Sequence, residues 1–331
     1  MSYAQPMADS PPTSSSLARY VAHLLTDDPP RAKSLCVSLL GDALACHGGA
    51  IWLGSIIELL EPLGINERLL RTSVFRLVAQ GWLQAERHGR RSLYQLSDQG
   101  LRHTEHASQR IYVGPAADWN GEWTLVALPR LGNSGLAERT ELRRELDWEG
   151  FGMIAPGLFA HPRADAHTAH DILEKLGIAD KALVLSGRDQ AGPAGLPIAS
   201  LAPQCWNLDE LAGQYRHFSQ QFGPLEALLE GALEPADAFA ARMLLLHTWR
   251  RIVLHDPQLP VPMLPEQWPG HAARQLCGRL YWKLFDASER HLDAVAGRDN
   301  ERYTPLAPSV YSRFGGRPDA GPERRGAAAT P

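Results

Sequence analysis

Cysteine is scarce in this chain: four in 331 residues, at Cys36, Cys46, Cys205 and Cys277, with no Cys-x-x-Cys pair. That scatter excludes a dense disulfide framework and the usual zinc spacings, and the four thiols read as small buried apolar groups. No apolar run approaches the roughly 20 residues that a membrane-spanning helix needs, and residues 1–16 lack the basic-then-apolar layout of a secretory leader. The expected location is therefore the cytoplasm, with no membrane partner. Internal repeats are missing too. Residues 187–195 are rich in glycine but lack the Gly-x-x-x-x-Gly-Lys-Ser/Thr arrangement that cradles phosphate, so they read as a plain loop. Nor is there an overall excess of positive charge: the formal net charge is -4, and a nucleic-acid partner would have to declare itself by local clustering.

What is present is ample apolar material, 44% of residues against 21% charged, enough for two or three buried cores. Residues 1–16, rich in Pro, Ser and Ala, and the Gly/Pro/Arg/Ala stretch from residue 315 onward have little to bury and are expected to be disordered. A short helix is expected at 17–25, ended by Pro29 and Pro30. A core helix at 34–46 carries Leu35, Leu39, Leu40 and Leu44 at helical spacing and stops at Gly48-Gly49. An extended piece at Ile51-Trp52-Leu53 leads to a second helix over 55–60, closed by Pro62 and Gly64. Asn66, a good N-cap, opens a third helix that runs to Gly81. From Trp82 to Leu96 the period falls to two, with residues 87–91 between the halves as a turn. A further helix runs from Ser97 toward Arg110, and Gly114-Pro115 marks a boundary.

Beyond it, strands at 123–128 and 181–186, helices at 135–146 and 170–176, and a hairpin at 152–160 alternate as in a small α+β domain of the ferredoxin-like kind. From Leu208 the pattern is helical: 211–222, 224–233, 236–254 and 270–284. The organisation expected is α+β and multidomain: a disordered extension at 1–16, a winged helix-turn-helix at 17–113, a ferredoxin-like domain at 114–205, a helical domain at 206–300 and a largely disordered tail at 301–331.

Three helices followed by a basic-tipped hairpin is the order of a winged helix-turn-helix, whose third helix enters the major groove of DNA. Between Asn66 and Tyr94 stand six arginines (Arg68, Arg71, Arg76, Arg87, Arg90, Arg91) against two acids (Glu67, Glu86), a local excess of four positive charges in a negative chain. Arg68, Thr72 and Arg76 fall one turn apart with Arg71 beside them, while Leu69, Leu70, Leu77 and Val78 are expected on the packed face. An arginine fork can bond O6 and N7 of guanine, and the wing-tip arginines suit phosphate. The candidate DNA contacts are Arg68, Arg71, Thr72, Ser73 and Arg76 on the helix and Arg87, Arg90, Arg91, Ser92 and Tyr94 on the hairpin. An ordinary helix with a solvated charged face is the competing reading. His161, His167 and His170, with Asp165 and Asp171 nearby, match no zinc spacing and read as surface groups, so no metal, catalytic residue or cofactor is assigned.

Several longer stretches resemble the PaaX family of phenylacetate-catabolism repressors. In the first part these are Arg31-Ala32-Lys33-Ser34-Leu35, Gly48-Gly49-Ala50-Ile51-Trp52-Leu53, the run from Arg71 to Leu83 and that from Gly89 to Ser97. In the middle they are Trp119-Asn120-Gly121-Glu122-Trp123 and Leu146-Asp147-Trp148-Glu149-Gly150-Phe151-Gly152, followed by Ala155-Pro156-Gly157-Leu158. Thr248-Trp249-Arg250-Arg251, Asp256-Pro257-Gln258-Leu259-Pro260 and Trp268-Pro269-Gly270 carry the likeness in the last part. The resemblance implies a Cas2-like central domain and a homodimeric repressor on double-stranded operator DNA. It also implies release by an acyl-CoA thioester effector, phenylacetyl-CoA. Such a ligand brings phosphates, an adenine and an apolar acyl end, so its pocket should join arginines to aromatic walls; Trp249, Arg250, Arg251 and Trp268 supply those types. Against them stands the reading that a tryptophan at helical spacing is core and that Arg250 or Arg251 pairs with Asp256. The resemblance also raises a metal-dependent nuclease, since Cas2 proteins place an acid after their first strand. Here Pro129 and Arg130 follow that strand, with no carboxylate to hold Mg²⁺. An RNA-binding module using the same basic face is a third possibility.

Overall fold

In the computed structural model, residues 15–114, 119–128, 136–162, 164–189 and 196–318 are described. The expectations for residues 1–14, the Pro115 boundary, Pro129 and Arg130, most of the 187–195 loop and residues 319–331 lie outside that set. The chain divides into two compact units, each assembled from separated segments. Unit 1 takes residues 1–102, 221–247 and 277–310; unit 2 takes 103–220, 248–276 and 311–331.

Helix α1 (Ser16–Asp27) is capped by the Ser15 hydroxyl, which accepts from the Ala18 N–H, and buries Leu17, Val21 and Leu24 at helical spacing. The expected single core helix at 34–46 is in fact three pieces. Helix α2 (Ala32–Ser38) widens into a π-helical stretch at Leu39–Leu44, all six residues buried, and tightens to a 3₁₀ turn at Ala45–His47. Gly48 ends it at φ +85°, and a Cβ there would lie 2.7 Å from the Arg302 carbonyl, so glycine is required on both counts. Strand β1 (Ala50–Trp52) leads directly into α3 (Leu53–Leu60), and α4 (Glu67–Ala79) follows. Strands β2 (Leu83–His88) and β3 (Arg91–Leu96) pair antiparallel, and β3 also pairs with β1, giving the order β1-β3-β2. The turn is shorter than expected: His88 faces Arg91, so the tip is Gly89-Arg90 alone, and Arg87 and Arg91 belong to the strands. Gly89, at φ +60°, supplies the first-position glycine of a two-residue hairpin. Helix α5 (Asp98–Ser108) then passes from unit 1 into unit 2.

In unit 2, strand β4 (Glu122–Ala127), helix α6 (Leu136–Trp148), strands β5 (Gly152–Ala155) and β6 (Leu158–His161), helix α7 (Ala166–Lys175) and strand β7 (Leu183–Arg188) follow the β-α-β-β-α-β order. Their antiparallel sheet has the order β5-β6-β4-β7, the split βαβ arrangement expected. Val126 and Phe159 of the sheet pack with Leu142 and Leu146 of α6 and Ala169, Ile172 and Leu173 of α7. Helix α7 begins four residues earlier than expected because the Asp165 carboxylate caps it, accepting from the His167 N–H.

A one-turn helix α8 (Ala202–Cys205) precedes α9 (Leu208–Phe222), α10 (Pro235–Val253) and α11 (Pro269–Ala296). Each of the three long helices contributes residues to both units. Residues 224–233, expected as a helix, form only a 3₁₀ stretch at Gly223–Leu228. The stretch expected at 270–284 continues a further twelve residues to Ala296. Residues 301–310, placed by the sequence in a tail, are anchored in unit 1: the Tyr303 ring stacks on His47 at 4.5 Å and Val310 is buried. No described helix is long and apolar enough to cross a membrane.

Candidate nucleic-acid interface

Helix α4 is defined by its ends and by one apolar stripe. The Asn66 side chain accepts from the Leu69 N–H at 2.9 Å, and Glu67 and Arg76 lie where the helix dipole favours them, in the first and last turns. Leu70, Val74 and Leu77 are fully buried and Ser73 nearly so, while Arg68, Arg71, Thr72 and Arg76 are exposed. Two expectations are corrected here. Ser73 faces the interior with that stripe and not the free face, because it lies three residues from Leu70 and four from Leu77. Leu69 points outward, 50% exposed, although it was expected to pack. Phe75 was missed altogether: at 72% exposure it stands among the arginines on the free face. The signal available in the sequence was its position, three residues after Thr72 and four after Arg71.

The hairpin completes the surface. Arg87, Arg90 and Arg91 are exposed, whereas Ser92 and Tyr94 are half-buried. Arg87 Nε donates to the Gly89 carbonyl at 3.2 Å, and the Arg91 guanidinium lies 4.1 Å from the centre of the Trp52 ring. The two acids of the basic stretch are engaged. Glu67 accepts from Arg71 at 2.8 and 2.5 Å, an exposed pair one turn apart worth roughly 0.2–0.5 kcal/mol, so a phosphate could displace it readily. Glu86 accepts from Arg302 at 2.6 Å, and Arg302 also reaches Gln95. A cation brought by the far end of the chain thus offsets the one carboxylate of the hairpin. The Thr72 hydroxyl donates to the Arg68 carbonyl, which leaves its oxygen to accept.

Unit 1 also holds a buried ionic network. Arg242, 1% exposed, lies 2.6 Å from one oxygen of Glu289; the other oxygen is 2.9 Å from His47 Nε2, and His47 Nδ1 meets the Thr304 carbonyl at 2.9 Å. Burial by itself would lower the His47 pKa, but the bonds to Glu289 and Thr304 and the charge of Glu289 outweigh it and hold the imidazole above its usual value. Burial would likewise raise Glu289, but the Arg242 charge, the bonds to His47 and Arg242 and the charge of His47 together outweigh it, leaving the carboxyl below its usual range.

The residues expected to hold an effector are not gathered into a pocket. Trp249 is 1% exposed and its indole N–H is used on the Ile111 carbonyl. Arg250 is buried and Arg251 exposed, and Asp256 accepts instead from the Tyr215 hydroxyl and the Gln258 N–H. Trp249 and Trp268 share a cleft of only about 30 Å³, enough for a water or two. A roomier cavity of about 440 Å³ is lined by α6 and the β5–β6 hairpin, with Leu142, Met153 and Phe159 together with Arg139 and Arg143. Of the histidines, His161 Nδ1 accepts from the Ala164 N–H and His167 pairs with Asp171. Among the described residues no group of three or more His, Cys, Asp or Glu is placed to hold a metal ion.

Three family models match the chain in order: the PaaX-like protein at residues 31–100, the PaaX protein central Cas2-like domain at 116–196 and the PaaX-like protein C-terminal domain at 206–294. The chain belongs to the PaaX family. It is 39% identical over 306 residues to the transcriptional repressor PaaX of Escherichia coli strain K12, a match that covers 91% of this chain and 96% of that one. Among solved structures, the uncharacterized protein Rv0674 from Mycobacterium tuberculosis is similar at 23% identity with a TM-score of 0.47, over 72% of this chain and 89% of the other.

Proposed function

We propose that this protein is a transcriptional repressor that binds duplex operator DNA through a winged helix-turn-helix, with α4 as the recognition helix and the β2–β3 hairpin as the wing. The observation that carries the reading is the exposure, on one helix face and the adjoining hairpin, of all six arginines of residues 66–94, in a chain whose net charge is negative. Arg68 and Arg76 have the length and planar fork to read guanine, Phe75 has the apolar surface that meets a thymine methyl, and Arg87 and Arg90 suit phosphates. The repressor activity of the E. coli relative supports the same reading. The protein acts on DNA as a homodimer, so that two-fold symmetry matches a symmetric operator, and has no catalytic role, metal or cofactor.

The family resemblance supports phenylacetate-degradation genes as the target and an arylacetyl-CoA thioester, phenylacetyl-CoA, as the effector that releases the operator. The cavity beside α6, lined by apolar side chains and two arginines, suits an apolar acyl group joined to an anionic carrier better than the cleft at Trp249. Release requires that the thioester prefer a conformation that fits the operator poorly. The test is a binding titration of operator duplex, unrelated duplex, single strands and duplex RNA, with and without thioester, free acid and coenzyme A. Duplex DNA should bind tightest, and the thioester alone should release it. Arg76→Ala should weaken operator binding about 5- to 150-fold and narrow the gap to unrelated duplex, the 1–3 kcal/mol of a base contact. Equal affinity for duplex RNA, or an Arg76→Ala loss that is the same on every duplex, overturns the groove assignment.

A further inference from the structure

Within unit 1 a cavity of about 350 Å³ opens between α3, α4 and β3, and four arginine side chains line it: Arg71, Arg90, Arg91 and Arg298. Glu58 is the one carboxylate among the described residues that line it. Three of the arginines belong to the basic stretch already described. Arg298 comes from the turn after α11, 240 residues from its partner Glu58, and no short-range pattern connects it with DNA.

Its place is fixed by the backbone around it. The Ser55 hydroxyl donates to the Val295 carbonyl at 3.0 Å, the Trp52 indole N–H to the Asp299 carbonyl at 2.8 Å and the Asn300 amide to the Ala50 carbonyl at 2.9 Å. Between these ties Asp299 holds a left-handed φ of 51°, a conformation uncommon for a non-glycine residue. The turn is therefore sewn to β1 and to the start of α3. Arg91, laid over Trp52, lies 3.5 Å from the Asp299 carboxylate, and Arg298 bonds both Glu58 oxygens at 3.2 Å. Both acids are about half exposed or more, so water screens these pairs and an entering oxyanion can replace them. Four guanidiniums thus converge on one hollow, three of them paired only with exposed, water-screened carboxylates, and their planar forks match the oxygens of a phosphate.

We propose that Arg298 is a DNA-backbone contact: with Arg90, Arg91 and Arg71 it takes one phosphate of the duplex into this cavity, so that the C-terminal part of the chain completes the DNA-binding surface. This rests on the duplex-DNA reading above. Glu58 is the intrinsic competitor of that phosphate, which gives the two partners of one ion pair opposite effects on DNA.

The experiment uses the full chain and fluorescence titration of operator and unrelated duplexes from 50 to 200 mM salt. Arg298→Gln should weaken both duplexes alike and lower the slope of log affinity against log salt by about 0.9, so the wild-type advantage is about 3.5-fold larger at 50 than at 200 mM. Glu58→Gln should strengthen both duplexes and steepen the salt dependence. A merely structural ion pair would move DNA affinity the same way in both variants or not at all, and either result overturns the proposal; far-UV circular dichroism and melting temperature confirm that each variant is folded. Inorganic phosphate that raises the melting temperature of the wild type but not of Arg298→Gln, and fails to compete with duplex, would mean the cavity takes free phosphate and would equally overturn it. If Arg76→Ala loses operator selectivity while Arg298→Gln keeps the full salt slope, this proposal alone fails. If the wild type binds no duplex, the DNA reading fails and this one with it.

Discussion

Replacing Glu289 by Gln removes one charge from the buried network of unit 1 while nearly preserving its shape. Arg242 is then left with no counterion in the interior. Its contact to Glu289 is short, and its Nε has no acceptor among the described residues. The remaining compensation is the faces of Tyr281 and Phe285, 5.8 and 5.3 Å from the guanidinium carbon. Stranding a buried charge costs about 3–5 kcal/mol, and Glu289, 13% exposed, belongs near the lower end. Over a unit of this size that is a drop in melting temperature of about 6–20 °C. Urea denaturation followed by circular dichroism gives the free energy, and an unchanged m-value shows that the same surface is exposed on unfolding. The double variant Arg242→Met/Glu289→Leu should recover most of the loss, because it removes both desolvated charges together. A loss below about 1 kcal/mol for Glu289→Gln would refute the claim that this pair is buried and mutually dependent.

Two further outcomes follow from the same geometry. His47 has a raised pKa in the folded state, so its contribution to stability is complete below 6.5, its ordinary value, and disappears as pH rises through the folded value; Glu289 has a lowered pKa, so its contribution is present above 4.5 and is lost as pH falls through the folded value. Stability of the full chain should therefore peak between about pH 4.5 and 6.5, and His47→Gln should flatten the alkaline limb of the chemical-denaturation profile. Phe75→Ala should leave stability within about 0.5 kcal/mol, since the ring is exposed, but should weaken operator binding and relax preference at a thymine position. A melting temperature lowered by many degrees with unchanged DNA selectivity would show that the ring packs rather than reads.

Much of the first hundred residues was legible without coordinates. The helix-helix-helix-hairpin order follows from caps, glycine stops and a change of period from 3.6 to 2, all signals carried within a few residues. The arginine cluster is visible for the same reason: its members are neighbours in sequence. Periodicity is coarser about which way a boundary residue turns. Leu69 and Phe75 are apolar and were expected to pack or passed unnoticed, yet both stand outside because the buried stripe of α4 is narrow and already filled by Leu70, Val74 and Leu77. Ser73 is small and polar but falls on that stripe, and geometry overrules its chemistry.

The amino-acid order by itself determined most of the elements, the α+β alternation of the middle segment and the local reversal of charge, because hydrogen bonding and burial at spacings of two to four residues write themselves into sequence. Tertiary structure alone decided that Arg298 and Arg302 join a surface built near the other end of the chain, that His47 meets Arg242 through Glu289, and that the tryptophans expected to hold a ligand are packed core. Those juxtapositions depend on how distant apolar faces come together, and no local spacing records that.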